Sequence, residues 1–327
     1  MEKGITIIIC TYNGSLRIPE TIAHIAAQQF SKAIAWEVVF ADNGSTDDSS
    51  TIAIGEWNKY TTSASDFRVV NESTPGKLYA LQKAISEARF EYFIICDDDN
   101  WLDPVYVEKM YDILESDPRI GAVGGQGVAA TGGVPLPDWF EQASSDYAVG
   151  KQGVATGDIT KREYLWGAGM GSRTALYKKM YHSFPSLLIG QKGVALSVED
   201  SEYSMRMILA GYKLYYHSDL LFSHFITPNR LTPGYREGLE SSFVASNIIL
   251  EKYRMAVRLQ RKYDHRPLRK FISTVGTFFK SRWSASNDKR AFYKSRLQYL
   301  LPSDNGHDPM ISAIRKFKEE NPVNFYR

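Results

Sequence analysis

Phe93-Ile94-Ile95-Cys96-Asp97-Asp98-Asp99-Asn100 runs four apolar residues directly into three carboxylates. An apolar run of this length fits a strand buried on both faces, as in a parallel sheet. Asp103-Pro104, a capping residue followed by proline, starts a helix behind it. In open α/β sheets, ligands bind just beyond the carboxyl ends of the strands, where these charges fall. Residues two apart on an extended segment point the same way, so Asp97 and Asp99 address one ligand while Asp98 faces elsewhere. Adjacent like charges repel unless a cation joins them. Hard oxygen donors of this kind suit Mg²⁺ or Mn²⁺, and Mg²⁺ is often held by one or two carboxylates plus substrate phosphates. The plain alternative is a solvated acidic turn.

The chain around this stretch alternates. Residues 5–10 are β-branched and apolar and predict a strand. A helix follows over 18–29, with Ile18, Ile22, Ile25 and Ala26 on one face. Residues 36–41 predict a second strand, followed by a helix reaching about residue 60. A short strand over 67–71 and a helix over 76–88 precede the acidic strand; a helix over 104–115 and a strand over 120–123 follow it. Such alternation predicts a parallel sheet with right-handed crossovers. Thr11-Tyr12-Asn13, Asp42-Asn43 and Asp97 to Asn100 close three of the strands and converge on one rim. Neither the dinucleotide pattern G-x-G-x-x-G nor the phosphate-loop pattern G-x-x-x-x-G-K-[ST] is present.

The 327 residues, 43% hydrophobic and 23% charged, fit one large globular domain or two smaller ones. The two cysteines, Cys10 and Cys96, each end an apolar run and predict buried reduced thiols rather than a disulfide framework. No signal-peptide pattern is visible, and no apolar stretch approaches the ~20 residues of a membrane span. The expected location is cytoplasmic, peripheral on the inner face of the membrane.

Taken together, Ile9-Cys10-Thr11-Tyr12-Asn13, Asp42-Asn43-Gly44-Ser45-Thr46-Asp47 and Asp97-Asp98-Asp99-Asn100 resemble the N-terminal half of a family 2 glycosyltransferase. The resemblance covers roughly residues 4 to 226. It implies a GT-A type, Rossmann-like, mostly parallel central sheet flanked by helices, and inversion at the sugar's anomeric carbon. It places Thr11, Tyr12 and Asp42 at a nucleotide base and Asp97 at the ribose, with Asn13, Lys77 and Asp98 also on the nucleotide. Asp99 would bind Mn²⁺ or Mg²⁺ at the diphosphate, with His224 beside it. Trp166-Gly167-Ala168 would lie under the donor sugar, where small residues let the backbone approach closely. In Val198-Glu199-Asp200, Asp200 takes the role of catalytic base and Glu199 that of an acceptor contact. Taken alone, acidic residues in a first helical turn are ordinary dipole partners, and a lone histidine after a strand is usually structural. Trp139 and Tyr147, in the irregular stretch 124–171, are candidates for stacking on a sugar or for packing.

From about residue 232 the composition turns basic. Residues 251–296 hold 14 Lys/Arg against 3 Asp/Glu. Phe271, Val275, Phe278 and Phe279 form an apolar face flanked by Arg269, Lys270, Lys280 and Arg282, the pattern of a membrane-surface helix or of a helical cap. We therefore divide the chain into a glycosyltransferase domain, 1–230, and a basic helical region, 231–327. Within the first, 1–124 is the nucleotide half and 125–230 the acceptor half. The processive motif Q-x-x-R-W is absent. The expectation is a non-processive enzyme moving one sugar from a UDP-sugar to a saccharide or lipid-linked acceptor, with an anionic membrane surface as partner and no nucleic acid. Two alternatives stand beside it, a non-catalytic nucleotide-sugar-binding module and a nucleotidyltransferase.

Overall fold

The structure, a computed structural model, describes residues 1–64, 66–189, 198–263, 266–301 and 308–321. Its first half alternates β1 (Glu2–Thr11), α1 (Ile18–Ala26), β2 (Trp36–Asp42), α2 (Ser49–Trp57), β3 (Phe67–Asn71), α3 (Lys77–Glu87) and β4 (Phe90–Asp97). These strands lie in the order β3-β2-β1-β4, all parallel. Period-2 alternation sends their side chains into two apolar layers. Ile5, Ile7 and Ile9 of β1, with Tyr92, Ile94 and Cys96 of β4, face α1 and α2. Ile8, Phe93 and Ile95 face α3 on the other side. Burial on both faces is why these strands read as unbroken apolar runs.

The second half comprises β5 (Asn100–Leu102), α4 (Tyr106–Ser116), β6 (Ile120–Ala130), α5 (Phe140–Ala143), β7 (Gly157–Asp158), β8 (Gly171–Arg173), α6 (Thr174–His182), α7 (Glu199–Leu209) and β9 (Lys213–Phe225). Here the sheet is mixed. β8 runs antiparallel between β4 and β6, β9 lies parallel to β6, and β5 and β7 pair antiparallel with β9. The predicted strand over 120–123 is therefore not the immediate neighbour of β4. The helix expected at Pro104 starts two residues later, at Tyr106, and Asp103 supplies no side-chain cap. Gly169, in the left-handed region at φ 69°, turns the chain into β8, and Tyr106 Oη donates to its carbonyl at 2.7 Å. A Cβ there would sit 2.4 Å from that hydroxyl, so the turn before β8 requires glycine.

Four helices follow: α8 (Pro233–Tyr263), α9 (Pro267–Trp283), α10 (Asn287–Leu300) and α11 (Pro309–Glu320). Ile249, Leu250, Tyr253, Ala256 and Val257 of α8, with Ile314 and Phe317 of α11, enter the same apolar layer as α3, α6 and α7.

One polar network lies inside that layer. Arg206, 2% exposed, donates to Glu202 at 3.1 Å, to Tyr253 Oη at 3.1 Å, and to the carbonyls of Met180, Phe184 and Pro185. Glu202 in turn accepts from Ser186 Oγ and the Leu187 amide. Every charge is matched, which is the condition for burying an ion pair. Arg206→Ala strands Glu202, and urea unfolding should show about 3–5 kcal/mol of lost stability; a loss below about 1 kcal/mol would show that the network contributes little.

Candidate active site

The three carboxylates after β4 go to three different cations. Asp97 Oδ1 lies 2.7 Å from Nζ of Lys77, the first residue of α3. Asp98 accepts a bidentate pair from Arg17, at 3.0 Å from Nε and 2.8 Å from Nη2, and a bond from Thr11 Oγ1 at 2.5 Å. Asp99 Oδ2 meets Arg230 Nη1 at 2.8 Å, while its Oδ1 accepts from Asn100 Nδ2 at 3.1 Å and lies 3.5 Å from His224 Nε2. The pairing of β5 with β9 sets Asn100 opposite His224, which brings the histidine to Asp99. The expected alternation, with Asp98 facing away from Asp97 and Asp99, does not separate the three at this cleft, because all of them line it.

That cleft, about 290 Å³, is lined by Thr11, Tyr12, Asn43, Lys77, Arg17 and Arg230 with the three aspartates and His224. Tyr12 is 60% exposed at its mouth. Asp42 and Asn13 do not line it. Asp42 accepts from the Ser45 amide and Ser50 Oγ, and Asn13 Oδ1 accepts from the Thr46 amide, so both brace the turn after β2. Asn43 accepts from the Gly76 amide at 2.7 Å and donates to the carbonyls of Glu72 and Thr74, fixing the turn from which Lys77 projects.

A second cleft, about 480 Å³, shares Lys77, Asp97 and His224 with the first and adds Trp166, Gly167, Ala168, Glu199 and Asp200. Asp200 Oδ2 accepts from the Gly167 amide at 2.8 Å and Oδ1 from the Ser201 amide at 2.5 Å. Burial, then the charge of Glu199, pushes the Asp200 carboxyl up to about 7, against the Gly167 amide that favours its ionised form. Glu199 sits 3.6 Å from Lys77, and among the described residues its buried Oε2 has no hydrogen-bond partner. Burial raises its pKa as well. Asp99 goes the other way: burial opposes its charge, but His224, Arg230 and Lys77 hold it well below the usual carboxylate range. Lys77 is raised for the mirror-image reason, since Asp97 and Glu199 outweigh its burial.

Several of these residues carried no signal in the sequence. Arg17 and Arg230 belong to no motif, and each is found only through the carboxylate it meets. Leu239, Phe243, Asn247 and Arg254 of α8 line the far side of the larger cleft, although they lie outside the alternating strand and helix pattern. Tyr147 contributes its backbone: His224 Nδ1 bonds to its carbonyl at 2.6 Å. Its ring packs with Trp139 and Phe140, and Trp139 does not line either cleft.

The Tyr147 carbonyl can only accept, so His224 carries a proton on Nδ1 and presents Nε2 toward Asp99. A carboxylate and an imidazole nitrogen facing one another are a donor pair that fits Mn²⁺ or Mg²⁺ completed by phosphate oxygens. Among the described residues no group of three or more acidic, histidine or cysteine side chains forms a closed metal cage.

Architecture and rim chemistry together define a GT-A type domain, with an acidic strand end facing two connected clefts. Residues 6–165 match the model of glycosyl transferase family 2. It is 29% identical over 126 residues to the poly-beta-1,6-N-acetyl-D-glucosamine synthase of Staphylococcus aureus, and 28% over 124 residues to that of Staphylococcus epidermidis. Each alignment covers 38% of this chain and spans 28% of the relative's length. Two crystal structures of S. aureus TarS share the fold. The complex of its residues 1–349 with UDP-GlcNAc has a TM-score of 0.54 at 18% identity, covering 98% of this chain and 84% of that one. A second TarS structure has a TM-score of 0.52 at 18% identity, covering 97% and 54%. Glu199, Asp200, His224 and Arg230 all lie beyond the residues matched by the family model.

The Arg17–Asp98 pair is the bidentate ion pair of the rim. Arg17→Ala should cost about 3–5 kcal/mol in denaturant unfolding, because it leaves a buried charge alone. The double variant Arg17→Ala/Asp98→Ala should cost clearly less than the two single losses added together. Simple additivity would mean that the pair is not coupled.

Proposed function

We propose that this chain is an inverting, non-processive glycosyltransferase that moves one sugar from a UDP-sugar to a hydroxyl acceptor. The observation that carries the reading is Asp200. Its carboxyl is pushed up to about 7 and lies in a cleft that shares Lys77, Asp97 and His224 with the acidic rim. A base matched to neutral pH, across a cleft from groups that hold a diphosphate, is what one displacement at an anomeric carbon requires. The donor class is supported by the fold shared with TarS, which was crystallised with UDP-GlcNAc. The relatives from Staphylococcus, named as synthases of a polymer of N-acetyl-D-glucosamine, support a saccharide acceptor.

In this reading the nucleotide lies in the smaller cleft, against Thr11, Tyr12 and Asn43, with Asp97 at the ribose and the turn braced by Asp42 and Asn13. The sugar extends over Gly167 and Ala168 into the larger cleft. An acceptor hydroxyl enters between Glu199 and Asp200, and Asp200 takes its proton. The acceptor oxygen forms its bond to the anomeric carbon from the face opposite the leaving group. The bond to the diphosphate breaks with its electron pair on the phosphate oxygen, and configuration inverts. Lys77 and Arg230 place positive charge where that leaving group gains negative charge. Asp99 and His224 would hold Mn²⁺ or Mg²⁺, which when bound supplies Lewis-acid neutralisation of the diphosphate. We assign the acceptor to lipid-linked or surface-polysaccharide intermediates at the cytoplasmic face of a membrane, with the basic C-terminal helices on the anionic surface. Among the described residues no helix is long and apolar enough to cross that membrane.

Asp200→Asn should lower transfer by about 10²–10⁴-fold while UDP-sugar binding, read by calorimetry, stays near wild type; full turnover in this variant would remove Asp200 from the mechanism. The base works ionised, so kcat/KM should fall as pH drops below about 7 and level off above it. A flat profile between pH 5 and 9 would speak against a base of this pKa. Asp99→Ala, titrated with UDP in the presence and absence of Mn²⁺, should lose the gain in affinity that the ion brings. An undiminished gain would place the ion elsewhere.

A further inference from the structure

Helix α9 is built inside out. Its two buried residues, Thr277 and Ser281, are polar. Leu268, Phe271, Ile272 and Trp283 are 61–71% exposed, and Val275, Phe278 and Phe279 are 41–46% exposed. The spacing 268, 271, 272, 275, 279, 283 is one helical face, and Trp283 stacks on Phe279 at 5.0 Å, so the patch is continuous. A contiguous apolar face of this kind marks an interaction site. Around it stand Arg266, Arg269, Lys270, Lys280 and Arg282 on and before α9, with Lys289, Arg290 and Lys294 on α10. The one acid between residues 266 and 296 is Asp288. Arg282, Arg290 and Lys294 also line a shared open basin with Ser281 and Asn287.

We infer that the α9–α10 pair is a preformed docking surface for an anionic lipid bilayer. The outward face of α9 enters the headgroup–acyl boundary, and the Arg282, Arg290 and Lys294 basin receives a lipid phosphate. Charge selects this occupant. Two copies of the chain meeting through α9 would bring one ring of cations against another. A nucleic acid would match the cations and meet rings in Phe271, Phe279 and Trp283, but the aliphatic Leu268, Ile272 and Val275 interleaved with them would stay in water. A bilayer takes aliphatic and aromatic side chains at one depth while Lys and Arg reach back to the headgroups.

The surface is firmly joined to the larger cleft. Tyr263 Oη, at the end of α8, donates to Ser273 Oγ of α9 at 2.5 Å, and Arg296 of α10 donates to both oxygens at 2.8 and 3.2 Å. Earlier turns of α8 carry the cleft-lining Leu239, Phe243, Asn247 and Arg254. On the glycosyl-transfer reading, on which this last step rests, docking holds the acceptor side of the cleft near a lipid-linked substrate.

The test is sedimentation of the full chain with vesicles of phosphatidylcholine alone and with about 30 mol% phosphatidylglycerol added. Binding should require the anionic lipid and be released near 1 M salt, where the screening length falls to about 3 Å. The combined variant Arg282→Gln/Arg290→Gln/Lys294→Gln should lower partitioning by about a hundredfold. Phe271→Ser/Ile272→Ser/Trp283→Ser should lower it by at least about tenfold. Both should keep the wild-type thermal unfolding transition and the wild-type rate of UDP-sugar hydrolysis without lipid, since none of these residues lines either cleft. Equal binding to the two vesicle types overturns the proposal, as does wild-type binding by either variant. So does a dimer in light scattering that the Phe271/Ile272/Trp283 variant abolishes. Absence of hydrolysis in the wild-type chain counts against the transfer reading alone, and the vesicle result still decides the surface.

Discussion

Three consecutive carboxylates at a buried strand end cannot stay ionised without three counter-charges, and the rest of the site follows from where those come from. Lys77 is the first residue of α3, Arg17 precedes α1, and Arg230 follows β9. The cations arrive from three separate elements, so the rim is complete only when the parallel half, the mixed half and the chain beyond β9 have all packed. Each pair is close, at 2.7–2.8 Å, and each carboxylate is mostly enclosed, conditions under which removing one partner costs far more than at a surface. Acidic rim and fold are thus mutually dependent. The sheet brings the charges together, and the cations crossing from its neighbours make that tolerable.

The same economy separates two chemical roles. Asp99 is surrounded by His224, Arg230 and Lys77 and stays ionised at any ordinary pH. Asp200 has amide donors and, among the described residues, no cation within bonding distance, while Glu199 beside it adds negative charge, and its carboxyl moves up to about 7. Two carboxylates on connected clefts with pKa values driven apart suit one group that holds positive charge and another that takes a proton. Lys77 lies between them, bonded to Asp97 and near Glu199, so any ligand that displaces it from one will be felt by the other.

The parallel half of the fold was legible because double burial writes itself as unbroken apolar runs: residues 5–10, 36–41 and 93–96 all became strands within a few residues of their predicted ends. The mixed half was harder. β8 is three residues, Gly171–Arg173, too short to show a period, and it separates strands that the sequence set side by side. β6 continues into the stretch read as irregular, through Gly124, Gly125 and Gly127 to Ala130, where Gly125 and Gly127 make room for the Leu220 and Ala148 carbonyls. β9 runs unbroken across the polar Ser218-Asp219, because β6, β5 and β7 all pair along it. At the rim, acidic residues announced themselves by clustering. Their partners could not, because an arginine reveals its role only through the charge it meets across 81 residues for Arg17 or 131 for Arg230.

The division between the residues matched by the family model and those beyond it carries a consequence for specificity. Thr11, Tyr12, Asn43, Lys77 and the aspartates that line the smaller cleft fall within residues 6–165, the stretch that matches the family model. The larger cleft is closed by Glu199, Asp200 and His224, and by α8, whose Leu239, Phe243, Asn247 and Arg254 form its outer wall. A wall with two apolar side chains, an amide and a guanidinium can recognise a ligand that is part hydrocarbon and part polar. Because α8 also anchors the inside-out α9 through Tyr263, the outer wall of the larger cleft and the outward face of α9 are joined through one helix. On the proposed reading, selection of the acceptor and placement of the chain would be coupled through that single element.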